Sequence, residues 1–201
     1  MITVRKARPA DAIAIGAVHV AVWRSTYPGI LPDRFLARLS VSRQAAHYDA
    51  AIRGGTGVLV AIASGEDVPG GQGWTQAGGR TGGGGTRIIG FTTAGPSRPR
   101  EISGQTLGDG ELETLYVLDD WRDQGVGRML MRGAAEHLME RGCRSVFLWV
   151  LRDNPSRWFY QRLGGRPVLD AGTRVAGRDL VQTAYVWDPI ESLLTASTLE
   201  S

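Results

Sequence analysis

The stretch from 111 to 127 constrains the fold of this chain more than any other. Glu111-Leu112-Glu113-Thr114-Leu115-Tyr116-Val117 alternates charged and apolar positions, as a half-buried strand does. The turn Arg122-Asp123-Gln124-Gly125-Val126-Gly127 follows, and then Val126, Met129, Leu130, Ala134, His137 and Leu138 recur at helical spacing until Gly142 offers an end. A strand, a glycine turn and a long helix make a unit in which the helix packs back on its own strand. Gly125 and Gly127 let backbone come close to a neighbour. The amides of the first helical turn have no intrahelical acceptor. With the helix dipole they form an anion site suited to a pyrophosphate, to which Arg128 can add a charge-assisted bond. On the residues alone two readings stay open, tight packing and phosphate binding.

The rest of the chain supplies the partners such a unit needs. Ile2 and Val4 alternate with polar residues as in a short strand. Pro9 and Asp11 start a helix whose apolar positions, Ala14, Ala17, Val18, Ala21 and Val22, run to Trp23. Phe35, Leu36 and Leu39 predict a short second helix after Pro32, and Ala45, Tyr48 and Ile52 a third that ends at Gly54-Gly55. Val58-Leu59-Val60-Ala61-Ile62 and residues 87–94 are strand-like. Between them, residues 65–86 hold Gly70-Gly71, Gly78-Gly79 and Gly82 through Gly85, with little to pack. Such a segment cannot offset its ordering entropy, so it is expected to be a flexible insert joining two strands. It lacks the Lys followed by Ser or Thr that a phosphate loop needs. Val146 through Leu151 is a buried strand, Asn154-Pro155 opens a short helix with Asn as cap, and Gly164 closes it. Strand-like runs at 167–169 and 183–187 complete a mixed α/β sheet with helices packed on it.

Composition excludes several classes. With 201 residues, 42% hydrophobic and 21% charged, the chain has the make-up of one globular domain that needs no staples. Its one cysteine, Cys143, rules out an internal disulfide framework. His19, His47 and His137 are far apart without metal-ligand spacing, so no metal is expected. The net charge of +3 comes without a basic run, which argues against nucleic acid. No signal-peptide core and no apolar run of about 20 residues is present, so the expectation is a cytoplasmic protein off the membrane.

A dinucleotide site is the competing use of the turn. Its G-x-G-x-x-G pattern would need glycine where Leu130 stands, and an acidic residue at the end of the next strand, where 144–151 offers Arg, Ser and apolar residues. The chain instead resembles the GNAT superfamily of acyl-CoA-dependent N-acetyltransferases. The family's phosphate pattern stands as Arg122, Gly125 and Gly127 directly after a strand, and a second block stands as Leu148-Trp149-Val150, Asn154, Tyr160, Leu163 and Gly164. The opening residues 4–11 and Trp23 through Tyr27-Pro28-Gly29 are similar too, so the likeness covers nearly everything except the Gly-rich insert. Gly165 departs from it: an aromatic often follows this glycine, and its absence suggests a less filled core or pocket edge.

The resemblance implies one N-acetyltransferase domain over 1–190, with a mixed, mostly antiparallel sheet, and a C-terminal tail over 191–201. It implies acetyl-CoA as co-substrate, with amides of Gln124, Gly125, Val126, Gly127 and Arg128 on the pyrophosphate and Arg122 in the same pattern. Main-chain groups of Leu115, Tyr116 and Val117 would pair with the pantetheine arm like an added strand. Asn154 would be a polar contact on the cofactor. Tyr160 would be the general acid for the leaving thiolate, and Glu111 the base, directly or through water. Glu113, two residues on, is expected on the same side of the strand. A neutral amine must attack, since a lysine-like ammonium has a pKa near ~10.4, and a strand amide near Leu115 or Val117 would steady the thioester oxygen. The resemblance sets the acceptor, a small-molecule or peptide amine, near Trp23, Tyr27 and Phe35. A homodimer is open, and so is a second class of function, a non-catalytic acyl-CoA-binding module on the same fold.

Overall fold

The computed structural model describes residues 1–65, 85–97 and 107–198. The flexibility expected of the Gly-rich insert therefore falls, but for its edges, outside the described residues. In chain order the elements are β1 (Ile2–Lys6), α1 (Ala12–Thr26), α2 (Asp33–Ala37), α3 (Val41–Arg53), β2 (Gly57–Ser64), β3 (Thr86–Pro96) and β4 (Gly110–Val117). There follow α4 (Val126–Glu140), β5 (Val146–Leu151), α5 (Arg157–Arg162), β6 (Arg166–Val175), β7 (Arg178–Trp187) and α6 (Glu191–Ser197). One sheet takes all seven strands in the order β1-β2-β3-β4-β5-β7-β6. Every neighbouring pair is antiparallel except β4 and β5, which are parallel because α4 crosses between them.

The helices cover both faces, which is why the central strands are apolar on both sides. On one face α4 buries Leu130, Met131, Ala134, Ala135 and Leu138, the last four of them against Ala94, Leu112, Val146 and Leu148. On the other, Ile15, Val18 and Val22 of α1 meet Tyr48 of α3 over Val58, Val60 and Phe91. Residues 191–201, set apart as a tail, include α6, whose Leu193 is fully buried in the α4 cluster.

Three features differ from the sequence expectation. The short runs at 167–169 and 183–187 are parts of a β6–β7 hairpin of two ten-residue strands, with side chains that mostly alternate between exposed and half-buried along β6. Their polar content (Arg174, Asp179, Gln182) masks a strand whose outer face is solvated. The helix after Asn154 begins at Arg157, not at Pro155. Asn154 still caps locally, since its Oδ1 accepts from the Ser156 amide at 2.9 Å. The gap expected beside Gly165 is filled: a Cβ there would lie 2.7 Å from the Trp187 indole and 2.9 Å from the Tyr160 carbonyl. Trp187, 1% exposed, donates from Nε1 to the Leu163 carbonyl at 2.7 Å. The aromatic bulk arrives from β7 instead of from the position after Gly164.

Candidate active site

Strands β4 and β5 pair only at Gly110 with Val146 and at Glu111 with Phe147. Beyond that they part, and residues 112–117 and 148–151 line the walls of a cavity of about 680 Å³. β4 is paired with β3 and β5 with β7 on their outer edges. Their inner edges therefore face the gap with main-chain groups that a ligand can use.

The gap runs onto the N-terminus of α4. Gly125 is the N-cap, with φ of 78°, a left-handed conformation that costs a side-chain-bearing residue about 1–2 kcal/mol. Asp123, at φ of 59°, has already turned left-handed. The pair aims successive amides at one point, and among the described residues the amides of Gln124 through Arg128 have no acceptor, the first helical bond being Met129 to Gly125. Gly127 matters by its missing side chain, since a Cβ there would sit 3.0 Å from the Phe159 ring of α5. The side chains around the turn are held by the protein. Arg122 pairs with Asp119 at 2.7 Å and donates to the Thr26 hydroxyl at 3.0 Å. Gln124 donates to the Asp120 carbonyl, and Arg128 to the Ala196 carbonyl of α6.

Of the residues singled out from the sequence, Leu115, Tyr116, Val117, Arg122, Gly125, Gly127, Arg128, Asn154, Tyr160 and Glu113 line this one cavity. Gln124 and Val126 do not, and the Val126 side chain is core, 1% exposed. Glu111 also does not line it. Between Glu111 and Thr114 the pairing of β4 with β3 is irregular. Thr93 pairs with Thr114 and Ala94 with Leu112, so Glu113 is the extra residue of a β-bulge and the alternation breaks there. The threonines hold this irregularity: Thr92 donates to the Thr114 carbonyl at 2.7 Å, and the Thr93 and Thr114 hydroxyls bond at 2.8 Å. Leu112 and Leu115 consequently both face α4, while Tyr116 faces α1.

Tyr160 is 7% exposed, and its hydroxyl makes no hydrogen bond among the described residues. Burial, and next the nearby Tyr27, push its pKa up, so it stays protonated. Tyr27 accepts from Asn154 Nδ2 at 3.3 Å, and burial raises its pKa too. Trp23 and Tyr27 line the cavity, while Phe35 packs behind Trp23 at 6.2 Å between ring centres. Sequence reasoning missed Phe159, Arg162, Val175 and Gln182 as lining residues, and it missed His19. Buried to 7%, His19 stacks under Trp23 at 5.0 Å, with Nδ1 2.8 Å from the Tyr48 hydroxyl. No local pattern marks such residues, because they meet only when distant elements pack. Among the described residues no three His, Cys, Asp or Glu side chains cluster to hold a metal, and no helix is long and apolar enough to cross a membrane.

A sequence model of the acetyltransferase (GNAT) family matches residues 23–165, both walls of the cavity included. The chain belongs to that family. It is 33% identical over 195 residues to the uncharacterized N-acetyltransferase YuaI of Bacillus subtilis, an alignment covering 97% of this chain and 98% of the relative. Among solved structures the fold is similar to that of Salmonella typhimurium YncA with its cofactor acetyl-CoA, at a TM-score of 0.60, 20% identity and 93% coverage of each chain. It is similar also to the PaiA N-acetyltransferase of Thermoplasma acidophilum in complex with coenzyme A, at 0.58 and 19%, covering 91% of this chain and 98% of that one. This family member is thus an acyltransferase of the N-acetyltransferase class, with the mixed, mostly antiparallel sheet of that fold.

Proposed function

We propose that the protein moves the acetyl group of acetyl-CoA to a primary amine, both substrates being held together in the cavity between β4 and β5. The observation that carries this reading is the parted strand pair opening onto the left-handed Gly125 turn and its unengaged amides. A long, flexible ligand ending in phosphates fits such a site: strand edges accept an extended arm, and a helix N-terminus accepts a pyrophosphate. Acetyl-CoA, when bound, supplies the acyl group as an activated thioester.

The chain's own groups then have separate tasks. Amides of Gln124 through Arg128 hold the phosphates. Main-chain groups of Leu115, Tyr116 and Val117 align the pantetheine arm, and an amide among them aims its dipole at the thioester oxygen. Asn154, fixed by Tyr27 and Ser156, orients the same arm. Tyr160 holds a proton where the sulfur leaves, and its raised pKa keeps that proton available at neutral pH. Glu113 is the better-supported base, because the bulge turns it into the cavity that Glu111 does not line. It takes the proton of the arriving ammonium directly or through a water.

Thermal unfolding with acetyl-CoA, and with NADH as control, tests the reading. At ~100 times its dissociation constant a ligand stabilises by about 2.7 kcal/mol, a shift of roughly 5–10 °C for a domain of this size. A shift with acetyl-CoA alone, lost when Gly127→Leu drives a side chain into Phe159, supports the site. An equal shift with NADH, or none with acetyl-CoA, refutes it.

A further inference from the structure

Among the described residues the sheet ends in two edges, and they are built differently. At one end β1 is five residues long and carries Arg5 and Lys6, a short, charged edge of the kind that discourages further pairing. At the other end β6 runs for ten residues with β7 as its only strand neighbour. Its protection is confined to its start, where Pro167 has no amide to give and Val168 is the extra residue of a bulge. From Leu169 to Val175 the pairing with β7 is regular.

The hairpin turn fixes which groups face outward. Ala176 and Gly177 have φ of 52° and 80°, as in the two-residue turn whose flanking residues, here Val175 and Arg178, exchange both backbone bonds. Counting back in twos, Thr173, Ala171 and Leu169 also turn their amides and carbonyls to β7. Asp170, Gly172 and Arg174 turn theirs to the open edge, and among the described residues no loop meets those main-chain groups. The side-chain positions of the same three residues lie on one exposed face. Asp170 there accepts from the Thr183 hydroxyl at 2.6 Å, and Arg174 stands 3.7 Å from Asp179. A Cβ on Gly172 would meet nothing within 4 Å, so packing within the single chain does not call for a glycine in mid-strand. A glycine in such a place weakens the strand and marks a close approach by another backbone.

We propose that a second copy of this chain pairs here, β6 against β6, antiparallel about a two-fold axis at Gly172. In that register Gly172 faces its own copy and exchanges both outward bonds with it. Asp170 of each chain then stands opposite Arg174 of the other, on the same face, and their outward amides and carbonyls are met as well. Charge selects this register over its neighbours. An axis at Asp170 or at Arg174 would set like charges face to face. An axis at Ala171 or at Thr173 would leave both charges without an opposite partner. A pairing of this kind is isologous, so it closes on two copies and joins their sheets into one.

Sedimentation velocity of the full chain from about 1 to 100 µM, where a small interface dissociates, is the test. The expected result is a concentration-dependent species of twice the chain mass. Asp170→Arg and Arg174→Asp should each weaken it at least about tenfold, because each sets like charges opposite one another. The double variant, with both substitutions, restores the opposition and should bring the dissociation constant back to within about threefold of the wild type. Amide hydrogen exchange of the wild type gives a second reading that needs no substitution. Asp170, Gly172 and Arg174 should exchange more slowly at the concentrated end, while the β1 amides stay unchanged. Should a variant fail to fold, as its melting temperature will show, the exchange comparison decides. A monomer across the range, a dimer indifferent to both single reversals, no recovery in a folded double variant, or exchange on β6 that ignores concentration overturns the assignment.

Discussion

Tyr160 and His19 show how burial gives two ordinary side chains unusual properties. Tyr160 sits among Phe159, Tyr185 and Trp187, and desolvation opposes its anion, so it keeps its proton at neutral pH. Tyr160→Phe should lower kcat by about 100-fold or more while leaving the acetyl-CoA thermal shift intact. Its cost in stability should stay below ~1 kcal/mol, because the hydroxyl has no hydrogen bond to lose among the described residues. His19 carries a pH dependence. Its pKa is about 4 in the fold against 6.5 in the unfolded chain, so protonation favours unfolding. Its neutral form contributes full stability above about pH 6.5, and that contribution fades as pH falls toward 4. The loss is of the order of 2–3 kcal/mol. His137 is shifted downward by burial as well, so it adds to the same acid limb. Urea melts at pH 7.5 and 4.5 should differ less for His19→Gln, which keeps an acceptor for the Tyr48 hydroxyl, than for the wild type.

At the scale of elements, two irregularities shape the site, and each has an identifiable cause. The bulge in β4 is held by Thr92 and Thr93 of β3, so the strand that bears Glu113 owes its shape to its neighbour. Alternation of Glu111, Leu112 and Glu113 was legible, but the extra residue was not, because a bulge is a property of the pairing between strands. The junction of α5 with β6 is the second. Gly165 leaves room for Trp187 of β7, which closes the core under Tyr160 and Leu163. Trp187→Ala should cost about 3–5 kcal/mol, as large aromatic truncations in a core do. Activity should then fall through misplacement of Tyr160, with KM for acetyl-CoA changing less than kcat. Melting temperature together with steady-state kinetics checks both parts.

Across the whole molecule, the sheet is continuous on each side of the β4–β5 junction and joined across it at two paired positions. A ligand seated in the gap bridges the two halves. Adding acetyl-CoA should therefore slow amide hydrogen exchange in 112–117 and 148–151, and in the first turn of α4, more than in the β6–β7 hairpin. Unchanged exchange along β4 and β5 would place the ligand elsewhere. What the sequence determined by itself was local: the alternation of β4, the apolar stripe of α4, the glycines of the turn between them, and the spacing of Asn154, Tyr160 and Gly164. These follow from backbone geometry and the period of burial, which neighbouring residues encode, and they were enough to read the family. Tertiary structure alone decided the rest. It chose Glu113 over Glu111 as the cavity carboxylate, sent Trp187 into the space beside Gly165, set neutral His19 behind Trp23, and lengthened a polar hairpin into two full strands. Each of those outcomes depends on which side chains distant segments bring together, and desolvation and close packing act only once they have met.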